Sequence, residues 1–233
     1  MRKIVLLSGL LAFAAQAADG STSAKEAVEG FYAGLGICWD YSINKIKGTY
    51  GCAGGDNREN DWFGVDIHHK KNGKLGGTLV AGYGIFVTGN FYLGGEAMLD
   101  ITGNRTTEVK GNNPYLARVK GVTPSVAVRF GGWCSPIDSL IYGKVGIAFV
   151  RTEFQDKSGI VVNNSVRKLS KCAPVVGLGI EKNVYNNINV RLEGNYRFQV
   201  KKEDVTYYNR GNWVHVENRL KGFTVRLIAV YKF

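Results

Sequence analysis

Apolar and polar residues alternate along the last eleven residues of the chain, residues 223–233. One face carries Phe223, Val225, Leu227, Ala229, Tyr231 and Phe233, and the other face carries Thr224, Arg226, Ile228, Val230 and Lys232. A period of two indicates a strand with one apolar and one polar face. About eleven residues is also the length that a tilted strand needs to cross a bilayer. We therefore interpret this stretch as an amphipathic strand long enough to span a membrane.

The same alternation recurs in seven earlier segments. They are residues 31–39, 75–87, 91–101, 122–130, 140–150, 172–181 and 188–198. Four long connections, residues 42–74, 102–120, 152–171 and 200–221, alternate with three short turns at residues 88–90, 131–139 and 182–187. An even number of strands joined in this way is typical of an up-and-down barrel. The predicted fold class is therefore all-β, an eight-stranded antiparallel up-and-down β-barrel.

Several glycine-rich alternating motifs carry a resemblance to a known family. They are Gly30-Phe-Tyr-Ala-Gly-Leu-Gly36, Leu140-Ile-Tyr-Gly-Lys-Val-Gly-Ile-Ala148, Val176-Gly-Leu-Gly-Ile-Glu181, Val190-Arg-Leu-Glu-Gly-Asn-Tyr196 and the terminal strand. In these motifs, and over essentially the whole chain that follows its first 17 residues, the protein resembles the small eight-stranded outer-membrane β-barrels of the OmpA, OmpX and opacity-protein type. The resemblance implies a transmembrane barrel in a Gram-negative outer membrane, with four long outer loops and three short periplasmic turns.

The resemblance also implies partners and an assembly signal. In that family the terminal aromatic residue and the alternation before it are recognised by the β-barrel assembly machinery, which assigns an assembly signal to Phe223, Tyr231 and Phe233. Outer-membrane lipid and lipopolysaccharide are further implied partners. The function expected from the family is that of a non-enzymatic structural or surface protein.

The start of the chain has the order of a secretory signal peptide. Met1-Arg2-Lys3 is followed by an apolar run over residues 4–15 and by the small-x-small sequence Ala15-Gln16-Ala17. A membrane helix is the alternative, but about 12 apolar residues are fewer than the ~20 that a span needs. We predict a signal peptide over residues 1–17, a short periplasmic leader over 18–29 and a barrel domain over 30–233.

Alternation alone does not say which face points inward, so a soluble lipocalin-like barrel is an alternative. One face of every predicted strand is nearly free of charge, and the other face combines charge with glycine. The charged side chains on that second face are Glu96, Arg129, Lys144, Glu181, Arg191, Glu193, Arg197 and Arg226. A charged side chain facing lipid at mid-bilayer costs roughly 2–4 kcal/mol. This cost favours a membrane barrel with the charged face inside.

Eight strands enclose a lumen that side chains can fill. The predicted inner charges are five basic and three acidic residues. Glu96, Glu181 and Glu193 are the candidate partners of Arg226 and Lys232 on the last strand. The network is interpreted either as a salt-bridged plug or as a narrow ion path through a porin-like channel for small solutes.

The long connections carry the excess positive charge of the chain. They contain 19 basic and 10 acidic residues, a net charge of +9, which equals that of residues 18–233. The last connection combines aromatic and basic side chains in a candidate binding surface: Lys201, Lys202, Tyr207, Tyr208, Arg210 and Trp213. Anionic lipopolysaccharide, a host surface or another envelope protein is the expected contact. Nucleic acid is not expected in this compartment.

The cysteines and histidines suggest little chemistry. Cys38 and Cys52 are a candidate disulfide in an exported chain, whereas Cys134 is expected at the opposite end of the barrel from Cys38, Cys52 and Cys172. No Cys-x-x-Cys spacing occurs, and we predict neither a metal site nor a cofactor. Asp66, His68 and His215 are the candidate acid–base residues of a lipid A or peptide hydrolase, the third function class.

Overall fold

The computed structural model describes residues 26–52, 61–109, 115–156, 167–198, 203–209 and 212–233. This part of the chain contains a 3-10 helix at Glu26–Val28, a second at Ser135–Ile137, and eleven strands. The strands are β1 Gly30–Cys52, β2 Asp61–Thr88, β3 Phe91–Thr102, β4 Arg105–Val109, β5 Tyr115–Val119, β6 Val122–Cys134, β7 Ser139–Asp156, β8 Arg167–Tyr185, β9 Ile188–Arg197, β10 Glu203–Asn209 and β11 Asn212–Lys232. Within the described residues, no helix is long and apolar enough to cross a membrane.

Eight of the strands close into a barrel. Their order around the ring is β1-β2-β3-β6-β7-β8-β9-β11, and every neighbouring pair is antiparallel. The ring is closed by β11 pairing with β1, from Tyr32 opposite Lys232 to Cys52 opposite Asn212. The predicted fold class, an eight-stranded antiparallel up-and-down barrel, is therefore confirmed.

The barrel is apolar outside and charged inside. Leu178, on the outer face of β8, is 73% exposed, whereas Arg191, on the inner face of β9, is 0% exposed. The outer surface carries most of the large hydrophobic side chains of the described strands, and the lumen holds the buried charges. A soluble barrel needs the opposite arrangement, because its outer face must be solvated by water. The orientation therefore fits a lipid environment.

The four long connections, which were predicted to be loops, are paired strands for much of their length. Residues 42–52 and 61–74 continue β1 and β2 as a paired hairpin, and β4, β5 and β10 lie within the other long connections. β5 pairs with the outer end of β7, and β10 pairs with β11. The predicted turn at residues 131–139 is also shorter, because β6 continues to Cys134. A strand with both faces in water needs no alternation of apolar and polar side chains, because backbone hydrogen bonds alone pair it with its neighbour. The sequence pattern therefore does not reveal such a strand.

The short segment before β1 packs into the end of the barrel where β1 begins and β11 ends. The Ala27 carbonyl accepts a hydrogen bond from Asn189 Nδ2 at 2.9 Å, and the Glu26 carbonyl accepts one from Lys232 Nζ at 2.9 Å. Val28 is only 2% exposed and packs with Tyr92, Leu140 and Tyr142. The last residues of the predicted leader therefore belong to the barrel core, and residues 1–25, including the predicted signal peptide, lie outside the described residues.

Substituting Val28→Ala is expected to lower the free energy of unfolding by about 1–3 kcal/mol, because two methyl groups leave a buried contact with three side chains. Urea unfolding in lipid vesicles measures this change. Ile137→Ala is the control, because Ile137 is exposed in the turn at the same end, and its effect should stay within about 0.5 kcal/mol. Equal stabilities of the Val28 variant and the wild type would show that the segment is not part of the core.

Candidate functional site

The inner faces of the barrel strands bring many charged side chains together in the lumen. All eight side chains predicted to face inward are buried there: Glu96, Arg129, Lys144, Glu181, Arg191, Glu193, Arg197 and Arg226. They come from β3, β6, β7, β8, β9 and β11. Each of these residues lies on the inward-facing set of alternate positions of its strand. The same alternation therefore places the apolar side chains on the outer wall and the charged side chains in the lumen.

Glu96 lies at the centre of this network. Its Oε2 accepts a hydrogen bond from Arg191 Nη1 at 2.9 Å, and its Oε1 accepts one from Lys144 Nζ at 2.8 Å. β3 and β9 are four strands apart in both directions around the ring. The Glu96–Arg191 ion pair therefore crosses the full width of the lumen.

Two further carboxylates surround this bridge. Glu181 Oε2 accepts hydrogen bonds from Arg129 Nη2 at 2.6 Å and from Arg191 Nε at 3.1 Å. Glu193 accepts one from Lys144 Nζ at 2.7 Å. Each of these carboxylates contacts more than one cation, which is the geometry that a buried charge needs to offset its loss of hydration.

Two carboxylates that were not among the predicted site residues complete the charge balance. Arg226 Nε donates to Asp100 Oδ1 at 2.9 Å, and a second hydrogen bond joins Nη2 to Oδ2. Arg197 Nη2 lies 3.7 Å from Asp40 Oδ1. With Asp40 and Asp100, five buried anions face the five cations of this network, and a sixth buried cation, Lys232, lies at the end of β11. Asp100 lies four residues after Glu96 on β3, so the two side chains point to the same face of the strand. The alternation of the sequence therefore places Asp100 in the lumen as well.

The partners expected for the last strand are only partly correct. Arg226 lies 3.6 Å from Glu193, but its bidentate partner is Asp100. Lys232 Nζ donates to the Glu26 carbonyl in the segment before β1, a residue that was assigned to the leader. The physical reason is position along the barrel axis: Lys232 lies at the end of β11, beyond the level of the central glutamates.

Three tyrosines extend from the wall into the network. Tyr142 donates its hydroxyl hydrogen to Glu193 at 2.6 Å, and Tyr32 donates to Glu96 at 3.1 Å. The Arg129 guanidinium lies 3.9 Å from the ring centroid of Tyr142. Inner glycines make room for the rings, because a Cβ there would collide with a tyrosine; the pairs are Gly82 with Tyr32, Gly84 with Tyr92, and Gly179 with Tyr142.

Little space remains beside the network. The cavity between Asp100, Lys144, Asn195 and Arg226 has a volume of about 20 Å³, close to that of one water molecule. The lumen at this level is therefore packed by side chains.

The candidate disulfide between Cys38 and Cys52 is wrong. Cys38 is a buried thiol, and its Sγ lies 3.4 Å from the Gly77 carbonyl oxygen. Both cysteines lie on β1, fourteen residues apart, which corresponds to about 46 Å along a strand. A disulfide needs Cα atoms within about 7 Å. The prediction failed because it placed Cys52 in a loop that could fold back.

The outer candidates are only partly described. Tyr208 lies opposite Trp213 in the β10–β11 hairpin, and Tyr207 lies opposite Val214. Lys201, Lys202 and Arg210 lie outside the described residues. For the hydrolase candidates, the backbone of β2 places His68 opposite Ile46 and that of β11 places His215 opposite Thr49. The two Cα atoms are thus about 14 Å apart, from strand spacing and rise.

The aromatic residues of the predicted assembly signal all face outward. Phe223 and Tyr231 are exposed on β11, and Phe233 follows it with 76% of its surface exposed. The Phe233 N–H donates to the Phe31 carbonyl at 3.0 Å. Among the described residues, no group of three or more His, Cys, Asp or Glu side chains is placed to hold a metal ion.

Comparisons with known proteins agree with this architecture. The family model described as the outer membrane protein beta-barrel domain matches residues 5–233. A search of the curated proteins finds no matching sequence.

Similar solved structures include that of Ail, the attachment invasion locus protein of Yersinia pestis, in complex with the heparin analogue sucrose octasulfate. Ail is 14% identical to this chain, with a TM-score of 0.38, and the match covers 85% of this chain and 99% of Ail. Neisserial surface protein A is 9% identical, with a TM-score of 0.38 and coverages of 84% and 97%. The outer membrane protease OmpT of Escherichia coli is also 9% identical, with a TM-score of 0.42 and coverages of 94% and 100%. Since the family model spans nearly the whole chain, the protein belongs to the outer membrane protein β-barrel domain family and is a protein of the outer membrane.

Proposed function

We propose that the protein is a non-enzymatic surface protein of the outer membrane, with a closed barrel that holds basic hairpins outside the cell. The observation that carries this proposal is the Glu96–Arg191 ion pair, which joins strands on opposite sides of the lumen at 2.9 Å. A solute moving along the axis would have to separate this pair. Breaking a buried pair leaves uncompensated charge, at a cost of about 3–5 kcal/mol.

The charge balance of the lumen supports the same proposal. A path for ions of one sign needs an excess of the opposite charge along its wall, whereas the five cations of the network face five buried anions. The sixth buried cation, Lys232, donates to the Glu26 carbonyl at the end of β11. Glu96, Glu181 and Glu193 are each held by more than one cation. Glu96 and Glu193 also each accept a hydrogen bond from a tyrosine hydroxyl. Such a network stabilises the barrel and leaves contact with partners to the outer hairpins.

The outer connections supply the chemistry for those contacts. Their net charge of +9 raises the local concentration of anionic groups at this end of the barrel. Lipopolysaccharide, a host surface or another envelope protein is the partner we propose. Export through a signal peptide cleaved after Ala17 and insertion by the β-barrel assembly machinery belong to the same proposal.

Planar-bilayer recordings test the closed lumen against the alternative of a narrow channel for small solutes. We expect no large, stable openings from the purified wild-type barrel, because the network fills the lumen at its centre. An Arg191→Ala/Glu96→Ala variant, which removes both ends of the crossing pair, should show openings more often. Stable single-channel steps from the wild-type protein would favour the channel and contradict the proposal.

The hydrolase alternative has its own test. The folded protein should release neither fatty acids from lipid A nor fragments from peptides during long incubation. Turnover that disappears on His68→Ala or His215→Ala would overturn the non-enzymatic assignment.

A further inference from the structure

The sheet opens between the outer ends of β6 and β7. β6 begins at Val122, but its pairing with β7 starts only at Ser125, opposite Ala148. Pro124 interrupts the ladder here because it has no N–H to donate. The next hydrogen bond across this gap runs from the Lys120 N–H to the Arg151 carbonyl at 2.9 Å. A cleft of about 750 Å³ lies at this opening.

The lining of the cleft changes from apolar to polar towards the outside. Val122 and Pro124 are exposed on the membrane side of the cleft. On β7 the outward-facing residues Val145, Ile147 and Phe149 are all apolar and exposed, and the next outward residue is Arg151. Asn104, Lys120 and Ser170 complete the polar part. An amphipathic wall of this kind matches the boundary between acyl chains and head groups.

The polar part of the cleft has an unbalanced positive charge. Lys120 Nζ lies 3.1 Å from Glu153 Oε2, so these two charges form a pair. Arg151 is exposed, and within the described part of the chain it has no ion-pair partner. Its guanidinium is thus available to a ligand, and a guanidinium binds a phosphate with two parallel hydrogen bonds.

The wall formed by β1, β9 and β11 is built differently. On the side of β1, β9 and β11, aromatic side chains lie towards the outer end of the barrel wall: Trp39, Tyr41, Tyr196, Phe198 and Phe223. They form an aromatic girdle of the usual kind. The cleft replaces that girdle with a cation and hydrogen-bonding groups, which makes it a distinct part of the rim.

We propose that this cleft binds the phosphorylated sugar head group of an outer-leaflet lipid, with Arg151 on the phosphate. Asn104 and Ser170 are placed to bond sugar hydroxyls, and the acyl chains lie along Val122 and Phe149. This proposal rests on the proposed function as a surface protein in contact with envelope lipid, and it names the place of that contact. A lipid is favoured over a soluble anionic glycan because the cation directly borders the apolar wall.

Native mass spectrometry of the folded barrel titrated with lipid A tests the site. Arg151→Gln should weaken binding of diphosphorylated lipid A about tenfold or more, the effect of losing a charged hydrogen bond. Lys221→Gln is the matched control, because Lys221 is an exposed cation near the middle of β11, a strand that does not line the cleft. It should change binding less than about twofold by screening of distant charge. Dephosphorylated lipid A should bind wild type and Arg151→Gln equally weakly. Heat-modifiable gel mobility establishes that both variants are folded.

Three results would overturn the assignment. The first is equal affinity of wild type and Arg151→Gln for lipid A, and the second is an equal loss in Lys221→Gln, which would mean non-specific attraction. The third is Arg151-dependent binding of heparin as tight as that of lipid A, which would assign the cleft to a soluble sulfated glycan. Conductance recorded on the same preparation tests the proposed function separately. Large, stable openings would contradict the closed lumen, which does not depend on Arg151, whereas the lipid-binding results bear on the cleft alone.

Discussion

Replacing Arg191 by Met should lower the free energy of unfolding by about 3–5 kcal/mol, the cost of breaking a buried ion pair from one side. Arg191 is fully buried and contacts Glu96 and Glu181 at 2.9 Å, with Glu193 at 3.6 Å. Methionine fills much of the same volume but leaves three carboxylates with fewer cations. Urea titration of the barrel in lipid vesicles, followed by tryptophan fluorescence, measures the change.

The matched control is Arg118→Met, because Arg118 is exposed in β5 and undergoes the same chemical change. Its effect should stay within about 0.5 kcal/mol. The two variants together separate the loss of a buried network from the loss of one positive charge on the protein.

A double-mutant cycle with Glu96→Gln tests whether the two groups act as a pair. Removing both charges should cost less than the sum of the single changes, with a coupling energy of about 1–3 kcal/mol. Strict additivity would mean that Arg191 is stabilised by its packing against the tyrosine rings instead of by the ion pair across the lumen.

The barrel and the composition of its lumen follow from simple periodicity in the sequence. Alternation placed Glu96 and Arg191 on inner faces because a strand directs successive side chains to opposite sides. The same rule identified the outward aromatic residues Phe223 and Tyr231. These features depend on local pattern only, and one eleven-residue strand contains enough of that pattern to be recognised.

The pairing inside the lumen does not follow from local pattern. Barrel strands are tilted and staggered, so the height of a residue depends on the shear of the whole sheet. This is why Arg226 meets Asp100 and why Lys232 meets the backbone of Glu26. The outer hairpins were missed for a different reason: β1 and β2 continue to Cys52 and Asp61 through backbone pairing, in a region without apolar alternation.

The second large effect is expected at the last residue. Deleting Phe233 should remove most of the folded protein from the outer membrane, and more of it than a deletion in any outer loop removes. The deletion should nevertheless change the folded barrel little. Phe233 contributes one backbone hydrogen bond, to Phe31, which is worth about 0.5–1.5 kcal/mol, and its ring lies on the lipid-facing side against Tyr231 at 5.2 Å.

Phe198 offers a close structural match for the substitution Phe233→Ala. Its ring faces outward at the opposite rim and stacks edge-on with Tyr196 at 5.0 Å, as Phe233 does with Tyr231. Both Ala variants should lose similar contact with lipid and refold to similar extents from urea into lipid vesicles. In cells, quantified by outer-membrane fractionation and heat-modifiable gel mobility, only Phe233→Ala should be strongly depleted.

The comparison between vesicles and cells separates two roles for the terminal aromatic residue. If Phe233 mainly stabilised the barrel, Phe233→Ala would refold poorly in vesicles as well as in cells. If the assembly machinery recognises Phe233, the defect should appear only in cells, where that machinery inserts the protein, and not in vesicles. Normal levels of folded protein in the outer membrane without Phe233 would contradict the assembly signal, and β11 would then close the barrel through its pairing with β1 and β9 alone.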